Sequence, residues 1–107
     1  MGVSYNNTIM YGKEFESFTE AMEHLQYLGK ISEEECKDFI ESGEYYLEYR
    51  SISFQVYSCY TGGAGILGEE ISAKTLYTDP EYTKKVTEEV DAFVGTGCEI
   101  HEFVQIS

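Results

Sequence analysis

Two serines, each placed three residues before a glutamate, constrain this chain more than any other feature of it. Ser17 with Glu20, and Ser32 with Glu35, match the pattern in which a hydroxyl accepts from an early helical amide and the carboxylate reaches back. Behind the first pair, Phe18, Ala21, Met22, Leu25 and Leu28 recur at helical spacing, and Gly29 can supply a left-handed cap. Behind the second, Cys36, Phe39 and Ile40 form a narrower apolar stripe, with Gly43 just past its end. The spacing predicts two helices folded into a hairpin across Gly29, Lys30 and Ile31.

From Glu44 to Thr61 the composition turns to alternating Tyr, Ile, Phe and Val, which suits a pleated, half-buried surface. Tyr45, Leu47 and Tyr49 share one phase, whereas Ile52, Phe54, Val56 and Tyr60 share the other, so a bulge or tight turn is expected near Arg50 and Ser51. Upstream, Val3, Tyr5, Ile9 and Tyr11 share one phase and predict an N-terminal strand, interrupted by the turn-prone pair Asn6-Asn7. The glycine-rich run from Thr61 to Gly68 predicts a mobile loop, and the stretch from Ile71 to Tyr77 a strand. Thr78-Asp79-Pro80 opens a helix with a capping oxygen and proline at its first position. Tyr82, Val86, Val90 and Phe93 line its expected buried side, Gly95-Thr96-Gly97 ends it, and a last strand runs from Cys98 to Ile106. Helices do not alternate with every strand. The expected class is therefore α+β: one small domain over residues 1–107, with a mostly antiparallel sheet of four or five strands, the N-terminal helical hairpin, and one later helix on one face.

Composition narrows the partners. The 107 residues carry 20 acidic against 7 basic side chains, a formal charge of −13, yet 42% are hydrophobic, enough to build a core. That sign disfavours direct contact with nucleic acid or anionic membrane, both polyanions. No apolar run is long enough for a membrane span, and the start MGVSYNNTIM lacks the layout of a secretion signal. Cys36, Cys59 and Cys98 are odd in number and widely spaced, as free thiols of a cytoplasmic protein would be. The triplet Asn6-Asn7-Thr8 fits a glycosylation acceptor, which matters only in a secreted protein.

No motif names a reaction. A phosphate loop needs Lys-Ser/Thr after its last glycine, whereas Gly68 is followed by Glu69-Glu70, two carboxylates that would repel a phosphate. Cys98 and His101 offer zinc-ligand chemistry, but on a strand they point to opposite faces. Cys36 sits on its helix's apolar stripe and reads as core rather than nucleophile. The expectation is a non-enzymatic protein with no cofactor and no metal.

The distribution of acid carries more. Residues 14–48 hold 11 acidic and 2 basic side chains, a net charge of −9. On the first helix Glu16, Glu20, Glu23 and Tyr27 form a row opposite Phe18, Met22 and Leu25; on the second, Glu34, Asp38 and Glu41 form another opposite Cys36, Phe39 and Ile40. Glu44, Tyr45 and Glu48 extend the negative, tyrosine-bearing region. Exposure to solvent explains why these positions are polar. It does not explain their sign, since like charges at i,i+4 such as Glu16–Glu20 and Glu34–Asp38 cost about 0.2–0.5 kcal/mol per pair and a lysine would relieve them. A salt-loving host could favour acid for solubility, although the split of 17 Glu to 3 Asp fits that less well.

Kept repulsion is what a surface shaped for a basic partner would show. The row from Glu34 to Glu41 spans roughly 10 Å at helical rise, over which duplex DNA presents about six charges, so matching that density needs both helices. In size, acidity and lack of catalytic motif the chain resembles the broad class of phage and mobile-element inhibitors, including DNA mimics and anti-defence proteins. That resemblance implies a binder that occludes the basic groove of a nucleic-acid-binding enzyme or complex. Two alternatives stand beside it: a small-ligand or sequestering protein using tyrosines and the Gly62–Gly68 loop, and a general protein-interaction subunit. Self-association into a homodimer stays open.

Overall fold

The computed structural model describes residues 5–45, 51–57 and 63–106. Eight elements follow in chain order: β1 (Tyr5–Phe15), α1 (Phe18–Tyr27), α2 (Glu33–Ser42), β2 (Ile52–Val56), β3 (Gly65–Glu70), α3 (Ala73–Thr78), α4 (Pro80–Val94) and β4 (Glu99–Ile106). The strands form one sheet in the order β2-β3-β1-β4, with every pairing antiparallel. The domain is α+β, with four helices among the described residues.

The caps form as their chemistry requires. At α2 the Glu35 amide donates to Ser32 Oγ and the Ser32 amide to Glu35 Oε1, both at 3.1 Å, and Gly43 takes the left-handed conformation at φ 73°. At α1 Ser17 Oγ accepts from the Glu20 amide, but the Glu20 carboxylate takes the amide of Glu16, one residue further back than the usual box. Asp79 caps α4 by accepting from the Tyr82 amide at 3.0 Å.

One core lies between the helices and one face of the sheet. Ala21, Met22 and Leu25 of α1, Cys36 of α2, Ile52, Leu67 and Ile71 from the sheet side, and Val86, Val90, Phe93 and Val94 of α4 form a single buried cluster. Phe18 meets Phe54 edge-on at 5.7 Å and Phe39 meets Tyr45 at 5.1 Å, so aromatic contacts join both early helices to the residues flanking and forming β2. The His24 Nε2–H donates to the carbonyl of Val94 at 2.6 Å, fastening α1 to the end of α4.

Several expectations are corrected. Asn6-Asn7 does not interrupt β1, which runs through both because β4 pairs with it from Tyr5↔Ile106 to Gly12↔Glu99. The expected glycine-rich loop is in part the interior strand β3, where Gly68 lies opposite Gly12. A Cβ on Gly68 would lie 2.0 Å from the Tyr11 carbonyl oxygen, and one on Gly12 would lie 2.2 Å from that of Leu67. These glycines serve close strand approach, not mobility. The expected strand from Ile71 to Tyr77 is instead α3, nucleated by Ser72 Oγ accepting from the Thr75 amide. Tyr82 is 49% exposed rather than on the buried side of α4, where Val94 is fully buried in its stead. Leu28 is also exposed. Leu47, Tyr49, Arg50, Cys59, Tyr60 and the position of the expected bulge lie outside the described residues, apart from Ser51.

The sheet's other face is also partly closed. Thr8, Met10 and Ile66 are at most 2% exposed, and in the register they stand with Glu14, His101 and Phe103 on the side away from the helices.

Candidate functional site

The predicted interface residues separate into groups. Glu16, Glu20, Glu23 and Tyr27 are all exposed, Tyr27 at 87%; Glu16 precedes the Ser17 cap and so makes no helical i,i+4 pair with Glu20, against expectation, whereas the other three follow the outward side of α1. With Phe15 and His24, the last three border a shallow groove, and His24 packs against Phe15 at 5.1 Å. Glu34, Asp38 and Glu41 are exposed along the outward side of α2. The two helices adjoin, and both send their apolar stripes into the same core, so each row faces away from it. Glu44 is exposed at the end of α2, beside an open cleft walled by Phe18, Tyr45 and Phe54.

Tyr45 is corrected: it is 9% exposed and packed on Phe39, so its ring belongs to the core rather than to a contact surface. Alternation gave it a strand partner set, whereas the chain at this point has just left α2 and folds the ring back beneath it. Glu48 lies outside the described residues.

The lysines do not neutralise the rows. Among the described residues no cationic nitrogen lies within 4 Å of Glu23, Glu34, Asp38 or Glu41. Lys37 sits four residues from both Glu33 and Glu41 on α2, yet pairs with neither. A contrast inside the molecule sharpens this. On α4, Glu81 is followed four residues later by Lys85, and Lys84 by Glu88, the interspersed arrangement that supports an exposed helix. On α1 there is no Lys or Arg at all. Repulsion of about 0.2–0.5 kcal/mol per like pair is small beside the roughly 1.5–3 kcal/mol from burying one side chain such as Leu25, so the core holds these helices despite their charge.

Sequence reasoning missed a second feature, on the sheet face away from the helices. Glu14, Tyr57, Ile66, His101, Glu102 and Phe103 border a cavity of about 190 Å³. The Tyr57 hydroxyl donates to Glu14 Oε1, which pushes the phenol above its ordinary range because the neutral donor is favoured beside a carboxylate. The Tyr57 and Phe103 rings stand 6.0 Å apart, tilted by 50°. His101 Nε2 is shut off from solvent and has no hydrogen-bond partner among the described residues. Cys98 lies toward the helix-side core with its Sγ–H donating to the Gly95 carbonyl at 3.3 Å, on the other side of the sheet from His101. The only signal of this site in the sequence was the alternation of β4, which does not reveal that residues 14, 57 and 101 border one cavity.

Comparison with protein-family models, curated proteins and solved structures returns no match. No helix among the described residues is long and apolar enough to cross a membrane.

Proposed function

We propose that this protein is a small, non-enzymatic, cytoplasmic binder that presents its acidic helices to the positively charged groove of a nucleic-acid-binding protein and so excludes the nucleic acid. One observation carries the reading: α1 exposes Glu20 and Glu23 on a helix without Lys or Arg, and among the described residues no cationic nitrogen meets Glu34, Asp38 or Glu41 of α2, whereas α4 intersperses Lys84 and Lys85 with its glutamates. Solubility alone would not distinguish one helix from another. Tyr27, almost wholly exposed within the first row, adds the rigid amphipathic contact that protein interfaces favour. The helical hairpin acts in this reading as a single docking unit, its two rows jointly approaching the charge density of a duplex.

The test is affinity capture of the partner at rising salt, with nucleic acid as competitor. Retention should fall steeply with ionic strength, nucleic acid should displace the protein, and the combined substitution Glu34→Lys, Asp38→Lys and Glu41→Lys should abolish retention. A partner held unchanged at about 1 M salt, where charges more than ~3 Å apart are screened, overturns the reading. The general-subunit alternative keeps one supporting observation, the exposure of Tyr77 at 80% and Tyr82 at 49% on α3 and α4. There, tyrosine substitutions should disrupt binding and charge reversal should not.

A further inference from the structure

The cavity on the sheet face opposite the helices brings together three kinds of group that can each hold a cation. The first is a carboxylate, Glu14, exposed at the rim with one oxygen engaged by Tyr57 and the rest of its acceptor capacity open to a ligand or to water. The second is the His101 imidazole, whose Nε2 is shut off from solvent with no hydrogen-bond partner among the described residues, a state that is costly unless something supplies the missing partner. The third is the aromatic pair of Tyr57 and Phe103. Between the Met10–His101 row and the Ile66–Glu14 row, β1 and β3 carry only Gly12 and Gly68, with Glu99 and Ser53 in the same row on the outer strands, so no β1 or β3 side chain separates the imidazole from the carboxylate.

We propose that this cavity binds a guanidinium group. Size sets the first limit: about 190 Å³ is well under the ~300 Å³ at which sites for drug-sized ligands begin, which admits a cation on a short stem and little more. Charge sets the second. A carboxylate beside aromatic faces attracts a cation, and a neutral imidazole with its proton on Nδ1 presents Nε2 as an acceptor. Geometry sets the third. Guanidinium is flat, stacks on aromatic rings and offers a rigid fork of donors, whereas ammonium is a compact, strongly hydrated point charge. A divalent metal fits poorly, because no group of three His, Cys, Asp or Glu side chains converges among the described residues. The site lies on the sheet face opposite the helices and does not depend on the acidic rows of α1 and α2.

The experiment is a titration of the whole protein with N-ethylguanidinium, followed by the NMR signals of the His101 imidazole and the Tyr57 and Phe103 rings. Saturable shifts with a Kd of about 1 mM are expected for so small a ligand. Glu14→Gln should weaken binding at least tenfold, and Phe103→Leu should weaken it while leaving Glu14 in place. The triple lysine variant of α2 should bind as the native protein does, which separates this site from the acidic rows. N-butylammonium should bind at least tenfold more weakly. Shifts that never saturate in the native protein, or equal affinity for N-butylammonium, overturn the proposal whatever the variants do. A blocked Gly-Arg-Gly peptide distinguishes the sources of the group: binding as tight as N-ethylguanidinium points to an arginine of a partner, and its exclusion while N-ethylguanidinium still binds points to a free small guanidinium compound.

Discussion

The Tyr11 hydroxyl donates to Asp91 Oδ1 at 2.7 Å, joining β1 to α4 across 80 residues of chain. Burial first, and the Asp91 carboxylate second, push the Tyr11 phenol up to about 12. An unfolded tyrosine ionises near 10. The folded state therefore favours the neutral phenol, and the resulting stability is fully present below pH ~10 and lost as pH rises from there through about 12. A spectrophotometric titration should show Tyr11 ionising late in that window, besides Tyr57, which Glu14 also raises. Tyr11→Phe should remove one late-ionising tyrosine and cost about 1 kcal/mol of stability at neutral pH, the usual net worth of a hydrogen bond.

Asp91 acts on Cys98 as well. Burial, then the Asp91 charge, push that thiol up to about 11, opposed by Lys13. A thiol at that value carries roughly a hundredth of the thiolate of an ordinary cysteine at neutral pH, so alkylation of Cys98 should be slower by about that factor. Asp91→Asn should speed it, and should bring the Tyr11 ionisation down in the same protein. Peptide mapping by mass spectrometry resolves Cys98 from Cys36, whose thiol burial also raises. Alkylation of Cys98 at the rate of a free thiol in the native protein would contradict the shared role of Asp91.

The two kinds of glycine predict different costs. Gly68→Ala drives a methyl into the backbone of β1, with 2.0 Å to the Tyr11 oxygen and 2.7 Å to the Gly12 Cα, and neither atom belongs to a flexible side chain. A loss of about 3 kcal/mol is expected, at the upper end of overpacking. Gly29→Ala meets nothing within 4 Å and suffers only from its left-handed φ of 75°, for which about 1 kcal/mol is the scale. Thermal unfolding of the two variants should keep this order.

The same glycines mark how far the sequence could be followed. Local signals placed α1, α2 and α4 because caps and helical periodicity depend on residues a few positions apart, as at Ser32 and Glu35. Gly65 and Gly68 have no local signature that separates a loop from an interior strand, since their purpose is the nearness of β1 and β2, which are distant in the chain. Ser72, which caps α3, stands within a stretch that alternates like a strand, and the alternation masks the cap. The acidic rows were legible because an exposed helix face follows from its own periodicity. The Glu14, Tyr57 and His101 cluster was not, since it exists only through the pairing of β1 with β3 and β4 and the return of the chain past β2.

Stability and binding should move in opposite directions when the rows are altered. Asp38→Lys removes one like pair with Glu34 and creates one favourable pair at the same spacing with the acid N-terminal, with about 0.2–0.5 kcal/mol gained from each. Asp38 is exposed, lies beyond the first turn of α2 where the helix dipole favours Glu33, Glu34 and Glu35, and accepts no hydrogen bond that the substitution would break among the described residues. The variant should therefore unfold at a higher denaturant concentration, with an unchanged denaturant slope, in low salt, and the gain should shrink as salt is added. Partner affinity should fall in the same variant, mostly through slower association, as expected when a steering charge is reversed. Surface acid kept only for solubility predicts the stability gain with no change in binding. Acid kept for a cationic partner predicts both, and chemical denaturation together with association kinetics on this single substitution decides between them.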